Sequence, residues 1–153
     1  MFGKSLSEYM RFQKAILILI GVIWAVRLGL SLAGNDGAAR WVSVTAVLAL
    51  GAVYYGVAVY NRGFGSYKQL LPLCLIQGIV SQVLVALGIA LAILTGQSNI
   101  FTAPEFSPPW GGISWGHAAA HVFVAGAIAF PLIGWLLGSI AMFITRKVSP
   151  RAA

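Results

Sequence analysis

The apolar residues of this chain neither alternate nor recur on one helical face; they run on in four long blocks. A helix rises about 1.5 Å per residue, so about 20 mostly apolar residues are needed to cross the hydrocarbon layer of a bilayer. The blocks predict helices over about 15–33, 41–60, 69–94 and 117–145. Arg27 alone interrupts the first, and the second and third hold no charge. The fourth carries Pro131 in its interior, where a missing amide donor favours a kink. Helices apolar on every face have no side suited to water. The expected fold class is therefore all-α: an integral membrane four-helix bundle occupying residues 1–153 as a single transmembrane domain. A basic start, an apolar stretch and the small residues Ser31 and Ala33 also give the first block a likeness to a secretory signal, but Arg27 inside it argues for a retained span.

The connections Gly34–Arg40 and Asn61–Tyr67 are short and rich in Gly, Asn or Asp, which folds neighbouring helices antiparallel. Residues 95–116 are of another kind. Pro104, Pro108, Pro109, Gly111 and Gly112 forbid a continuous helix, and the rings of Phe101, Phe106, Trp110 and Trp115 suit the headgroup layer. An ordered outer cap loop is expected here, with Trp110 and Trp115 as its anchors. Lys4, Arg11, Lys14, Arg62, Lys68, Arg146, Lys147 and Arg151 all fall on the opposite side. Short basic loops stay cytoplasmic, so both the N and the C terminus are expected to be cytoplasmic. The compact chain points to a bacterial inner (plasma) membrane.

Composition narrows the function classes. Charged residues make up 8% of the chain, against about 25% in an ordinary soluble domain. One Cys excludes a disulfide framework and any Cys-rich zinc or iron–sulfur site. The net charge of +7 is scattered among apolar runs and forms no basic patch interleaved with aromatics, so the expected partner is the lipid bilayer and not nucleic acid. No Gly-rich phosphate loop or nucleophile elbow occurs, and three carboxylates in the whole chain leave no paired-acid chemistry in the membrane interior. These absences lean away from an enzyme.

Four features carry candidate chemistry. His117 and His121 stand one helical turn apart, so one face presents both imidazoles, and Glu105 or Asp36 on the same side could add an oxygen ligand. The pair could hold a transition metal or bond to the cap loop. Haem fits less well, because two histidines on one helix cannot reach opposite faces of one ring. Arg27 must face protein, water or a reachable interface, since a central Arg costs at least about 2.5 kcal/mol on insertion scales. It either anchors an anionic group or snorkels to the surface. Gln77, Ser81 and Gln82 in the third block form either a polar pocket or interhelical glue, with Tyr54 and Tyr55 as expected partners. Gly134 and Gly138 make a small-xxx-small pair for close helix packing, within the bundle or between chains.

Together these features point first to a small polytopic accessory, assembly or scaffolding subunit that binds other membrane proteins or forms a homo-oligomer. The alternatives are a small transporter or anionic-ligand or lipid binder built on Arg27 and the Gln77 cluster, and an outer-facing metal- or haem-binding protein built on the two histidines.

Overall fold

The computed structural model describes residues 2–107 and 112–149. Within them the chain is helical, without strands, and four helical stretches are long and apolar enough to span a membrane. The first, α1 (Leu6–Leu32), begins nine residues before the expected start. Ser5 and Glu8 form a capping box that satisfies the orphan amides of the first turn, and the Lys4 ammonium lies 3.1 Å from the Glu8 carboxylate. Hydropathy alone could not register this polar turn. At its far end Gly34, with φ +77°, takes the left-handed conformation that closes the helix.

The segment expected as a turn is a short helix, α2 (Asp36–Trp41), capped by Asn35. Ser43 then caps α3 (Val44–Asn61), and α2 and α3 together make the second membrane-length stretch, Asp36–Asn61, with Trp41 inside it. Ser66 and Gln69 form a second capping box that opens α4 (Tyr67–Thr95), and Gly96 at φ +71° ends it. The fourth span comprises α5 (Trp115–Ala120), a π-helical stretch over His121–Ala129 and α6 (Phe130–Val148). Pro131 has no amide to donate, and the wider winding directly precedes it: the Phe130 amide reaches back five residues to the Ala125 carbonyl.

Consecutive spans run antiparallel, which separates two ends of the bundle. The basic end holds Lys4, Arg62, Lys68, Arg146 and Lys147; the cap end holds α2, Glu105 and the start of α5. Three apolar clusters fill the interior. Tyr9, Tyr55, Leu70, Leu73 and Met142 pack toward the basic end, Ile20, Val44 and Leu48 pack centrally, and Ile89, Ile100, Phe101 and Ala118 pack at the cap end. Glycines allow the closest approaches. Gly138 and Gly134 both lie within the bundle, the first against the Ala52 carbonyl of α3 and the second against Ala52 and Cys74. A Cβ added to Gly56 would collide with the Gly138 carbonyl, and Gly78 faces the Gly126 carbonyl and the Pro131 ring.

Large apolar side chains face outward along the spans, among them Ile18 and Val22 on α1, Leu87 on α4, and Phe123, Ile128 and Leu136 on the fourth span. Water would penalise a belt of this extent, whereas hydrocarbon accommodates it. With four spans of sufficient length, this is the architecture of an integral membrane protein.

The loop after α4 is tied down by one side chain. Asn99 donates from Nδ2 to the Gly88 carbonyl at 2.7 Å, its Oδ1 accepts from the Phe101 amide at 3.0 Å, and its carbonyl accepts from the Thr102 hydroxyl at 2.9 Å. The Ile100 amide donates to Ser31 Oγ at 2.8 Å, and Ser31 donates to Asp36 at 2.6 Å. The loop is thereby bonded to α4 and α1, and the Arg40–Glu105 ion pair joins it to α2. Trp115 opens α5 with most of its ring exposed, while Trp110, the other expected anchor, lies outside the described residues.

Candidate functional site

Helix α1 carries Arg27 into the cap end, where the side chain is 8% exposed. The folded chain covers it. The guanidinium carbon lies 4.8 Å from the Phe106 ring centre and 5.5 Å from that of Phe101, so the folded loop walls it off on two sides. Among the described residues no carboxylate pairs with it: Asp36 accepts from Ser31, and Glu105 lies 2.6 Å from Arg40. Arg27 Nε has no hydrogen-bond partner among the described residues. An almost buried cation thus lacks a counter-charge in a region of low dielectric, the setting in which an approaching anion would gain most.

The space before Arg27 is a cavity of about 120 Å³ whose lining includes Thr45, Gln82, Phe101, Phe106 and His121. Arg27, Gln82 and His121 stand on three different spans, and the structure brings all three to one cavity. Gln82 is fixed by its neighbours: its Nε2 donates to Ser81 Oγ at 3.3 Å, and Ser81 donates to the Gly78 carbonyl at 2.8 Å. Its Oε1 lies 2.6 Å from His121 Nδ1.

The cluster read on α4 therefore divides. Gln82 lines the cavity and Ser81 supports it, but Gln77 turns toward α3 and donates to the Leu48 carbonyl at 3.1 Å. Neither expected tyrosine partner takes part. Tyr55 donates instead to Gln13 Oε1 at 3.2 Å, a buried bond between α3 and α1, and the Tyr54 ring packs on Tyr55 and lies near Arg62.

His117 and His121 do share one face, with Nε2 atoms 3.1 Å apart. His117 Nδ1 lies 2.7 Å from the Gly112 carbonyl, so the pair bonds to the cap loop on one side and to α4 on the other. Glu105, the expected third ligand, does not join them because Arg40 holds it, and among the described residues no other His, Cys, Asp or Glu completes a three-ligand group. The two imidazoles face each other, which leaves no gap between them for a haem plane. A second, more open groove of about 280 Å³ reaches the pair from the lipid-facing side, lined by Phe106, His117, His121 and Val124.

Three members of the site were hidden in the sequence: Phe101 and Phe106, whose rings read as headgroup anchors, and the Gly112 carbonyl. The signal for the aromatics was Asn99. An Asn shortly after a helix-ending Gly folds its loop back through local side-chain bonds, and here that carries the Phe101 ring inward, while Phe106 stays partly exposed.

No protein-family model, curated protein or solved structure matches this chain. The fold and the site together define a four-span helical membrane protein with a cationic pocket at one end.

Proposed function

We propose that this membrane protein binds a small anionic group, a phosphate or a carboxylate, in the cap-end cavity, with Arg27 as the counter-charge and Gln82 as a hydrogen-bonding wall. One observation carries the reading: a nearly buried guanidinium, cradled by two aromatic rings, has no carboxylate partner among the described residues. Arg presents planar donors that match either anion. Toward the basic end the bundle is filled by Tyr55, Leu70, Leu73 and Met142, which favours a binding site over a continuous path for transport. The group can belong to a lipid head or to a free solute. Positive-inside bias supports a cap end that faces away from the cytoplasm.

The accessory or scaffolding reading drew on small-residue faces. Gly134 and Gly138 are engaged within one chain, which removes them as support for association between chains.

Melting temperatures in nanodiscs test the proposal. If the anion is a lipid head, replacing phosphatidylcholine with phosphatidylglycerol raises the melting temperature; if it is a solute, inorganic phosphate or acetate does so in phosphatidylcholine alone. Either rise disappears in Arg27→Gln. A wild-type protein that responds to none of these probes, or an equal response in the variant, overturns the reading.

A further inference from the structure

The anion pocket leaves the contact between the two histidines unused. The Gly112 carbonyl can only accept, so His117 Nδ1 at 2.7 Å carries a proton. His121 Nδ1 faces Gln82 Oε1 at 2.6 Å, while the amide nitrogen of Gln82 is turned to Ser81, so His121 Nδ1 also donates. In a neutral imidazole with a protonated Nδ1, Nε2 is a bare lone pair. Two such lone pairs meet at 3.1 Å, an arrangement that repels unless a cation sits on both.

We propose that His117 and His121 form a seat for one transition-metal ion, ligated by both Nε2 atoms. Metal–nitrogen bonds of about 2.0–2.1 Å across a 3.1 Å separation set a ligand angle near ~100°, between the square-planar and tetrahedral values. Each ring donates its remaining N–H to a fixed oxygen, the outer-shell arrangement that holds a ligating imidazole in its tautomer and orientation. These two supports come from different parts of the fold, the cap loop and α4, so the pair is aimed from both sides before any ion arrives. With no third protein ligand among the described residues, the other coordination positions are left to water or an exogenous ligand, and the groove of about 280 Å³ gives access. Imidazole donors favour copper, nickel, cobalt or zinc over magnesium or calcium, with Cu(II) the tightest of the divalent series.

The chain holds only these two histidines, so a readout of imidazole ligation has no background. The full chain, carried on a histidine-free affinity tag in nanodiscs, is titrated with Cu(II) and with Co(II). Bound metal is counted by elemental analysis, and ligation is read from nitrogen hyperfine structure and the cobalt ligand-field bands. The proposal expects one ion per chain, at least tenfold weaker binding in His117→Ala and in His121→Ala, and weakening of about 10–100-fold in Gln82→Leu. Gln82→Glu, which keeps both histidines and strengthens the acceptor on Nδ1, binds as tightly as wild type or tighter. Arg27→Gln retains the metal, so failure of the anion pocket and failure of this site are separable. Equal metal uptake by wild type and the double alanine variant overturns the proposal, as does a wild-type pair that takes up no ion and shares a proton instead.

Discussion

Replacing Arg27 with Met separates a ligand-binding arginine from a structural one by the sign of its effect on stability. In the ligand-free protein, an Arg at the centre of a span carries an insertion penalty of about 2.5–3.5 kcal/mol, an upper bound for Arg27 near the cap end. Against this stand the contacts to Phe106 and Phe101 at 4.8 and 5.5 Å, worth about 0.5–2 kcal/mol each. The two terms nearly offset. Met fills a similar volume and keeps a favourable sulfur contact with both rings. Arg27→Met is therefore expected to leave the ligand-free bundle as stable as wild type, or more stable by ~1 kcal/mol. Once an anion is present the sign reverses. A charge-assisted hydrogen bond contributes about 1.5–3 kcal/mol, so binding should weaken by roughly 10–100-fold. At a ligand concentration a hundred times the wild-type dissociation constant, wild type gains about 2.7 kcal/mol by linkage and the variant about 0.4–1.4 kcal/mol. Reversible unfolding in mixed micelles, run with and without phosphatidylglycerol or inorganic phosphate, measures both quantities. Loss of about 2 kcal/mol or more from the ligand-free protein, the upper value for one aromatic contact, with the anion-dependent gain intact, would refute the reasoning and make Arg27 a packing element.

Other substitutions probe the frame around the pocket. Ser31→Ala removes the hydroxyl that joins Asp36 to the Ile100 amide, and should lower stability by about 1–3 kcal/mol while loosening the loop, seen as faster amide exchange over 98–103. Gly56→Ala drives a methyl group into the Gly138 carbonyl and should cost about 1–3 kcal/mol in the same unfolding assay, with α3 and α6 forced apart. Tyr55→Phe strips Gln13 of its bond across α1 and α3, for a loss of about 0.6–2 kcal/mol without effect on anion or metal binding. Single cysteines placed beside Lys68 and Arg146 should be shielded from a membrane-impermeant reagent in intact cells, and one beside Asp36 should be labelled; the opposite pattern reverses the topology.

The four spans were legible because lipid demands long, mostly apolar runs, a constraint that each block meets without reference to any neighbour. Helix ends were less so. The first turn of α1 is polar and held by the Ser5–Glu8 box, and α2 is too short to register as a run of apolar residues. Hydropathy cannot see either device, although a cap residue followed three positions later by Glu marks the first in plain sequence. The π winding before Pro131 also left no pattern of its own, since it conserves composition and changes only which carbonyl each amide reaches.

The candidate site shows where one-dimensional reading stops. Arg27, Gln82 and His121 each stood out, because polar groups in an apolar run require partners, yet nothing in their spacing along the chain joins them. Their convergence follows from the Asn99 turn and from Gly78, Gly88 and Gly126. The absent side chains at Gly78 and Gly126 bring α4 against the fourth span, and that at Gly88 admits the Phe101 ring beside α4. This makes a further claim about the pocket: its chemistry depends on loop placement as much as on the polar groups themselves. Asn99→Ala leaves all three polar residues in place but unfastens the turn that carries Phe101 toward Arg27. Without the ring walls the guanidinium gains access to water, the local dielectric rises, and the same charge attracts an anion less strongly. The variant should therefore weaken phosphate or phosphatidylglycerol binding by about tenfold, the equivalent of ~1.4 kcal/mol of lost electrostatic gain, with Arg27 untouched. Unchanged anion binding in a variant whose loop amides exchange freely would show that the arginine needs no walls, and that the folded cap serves some other end.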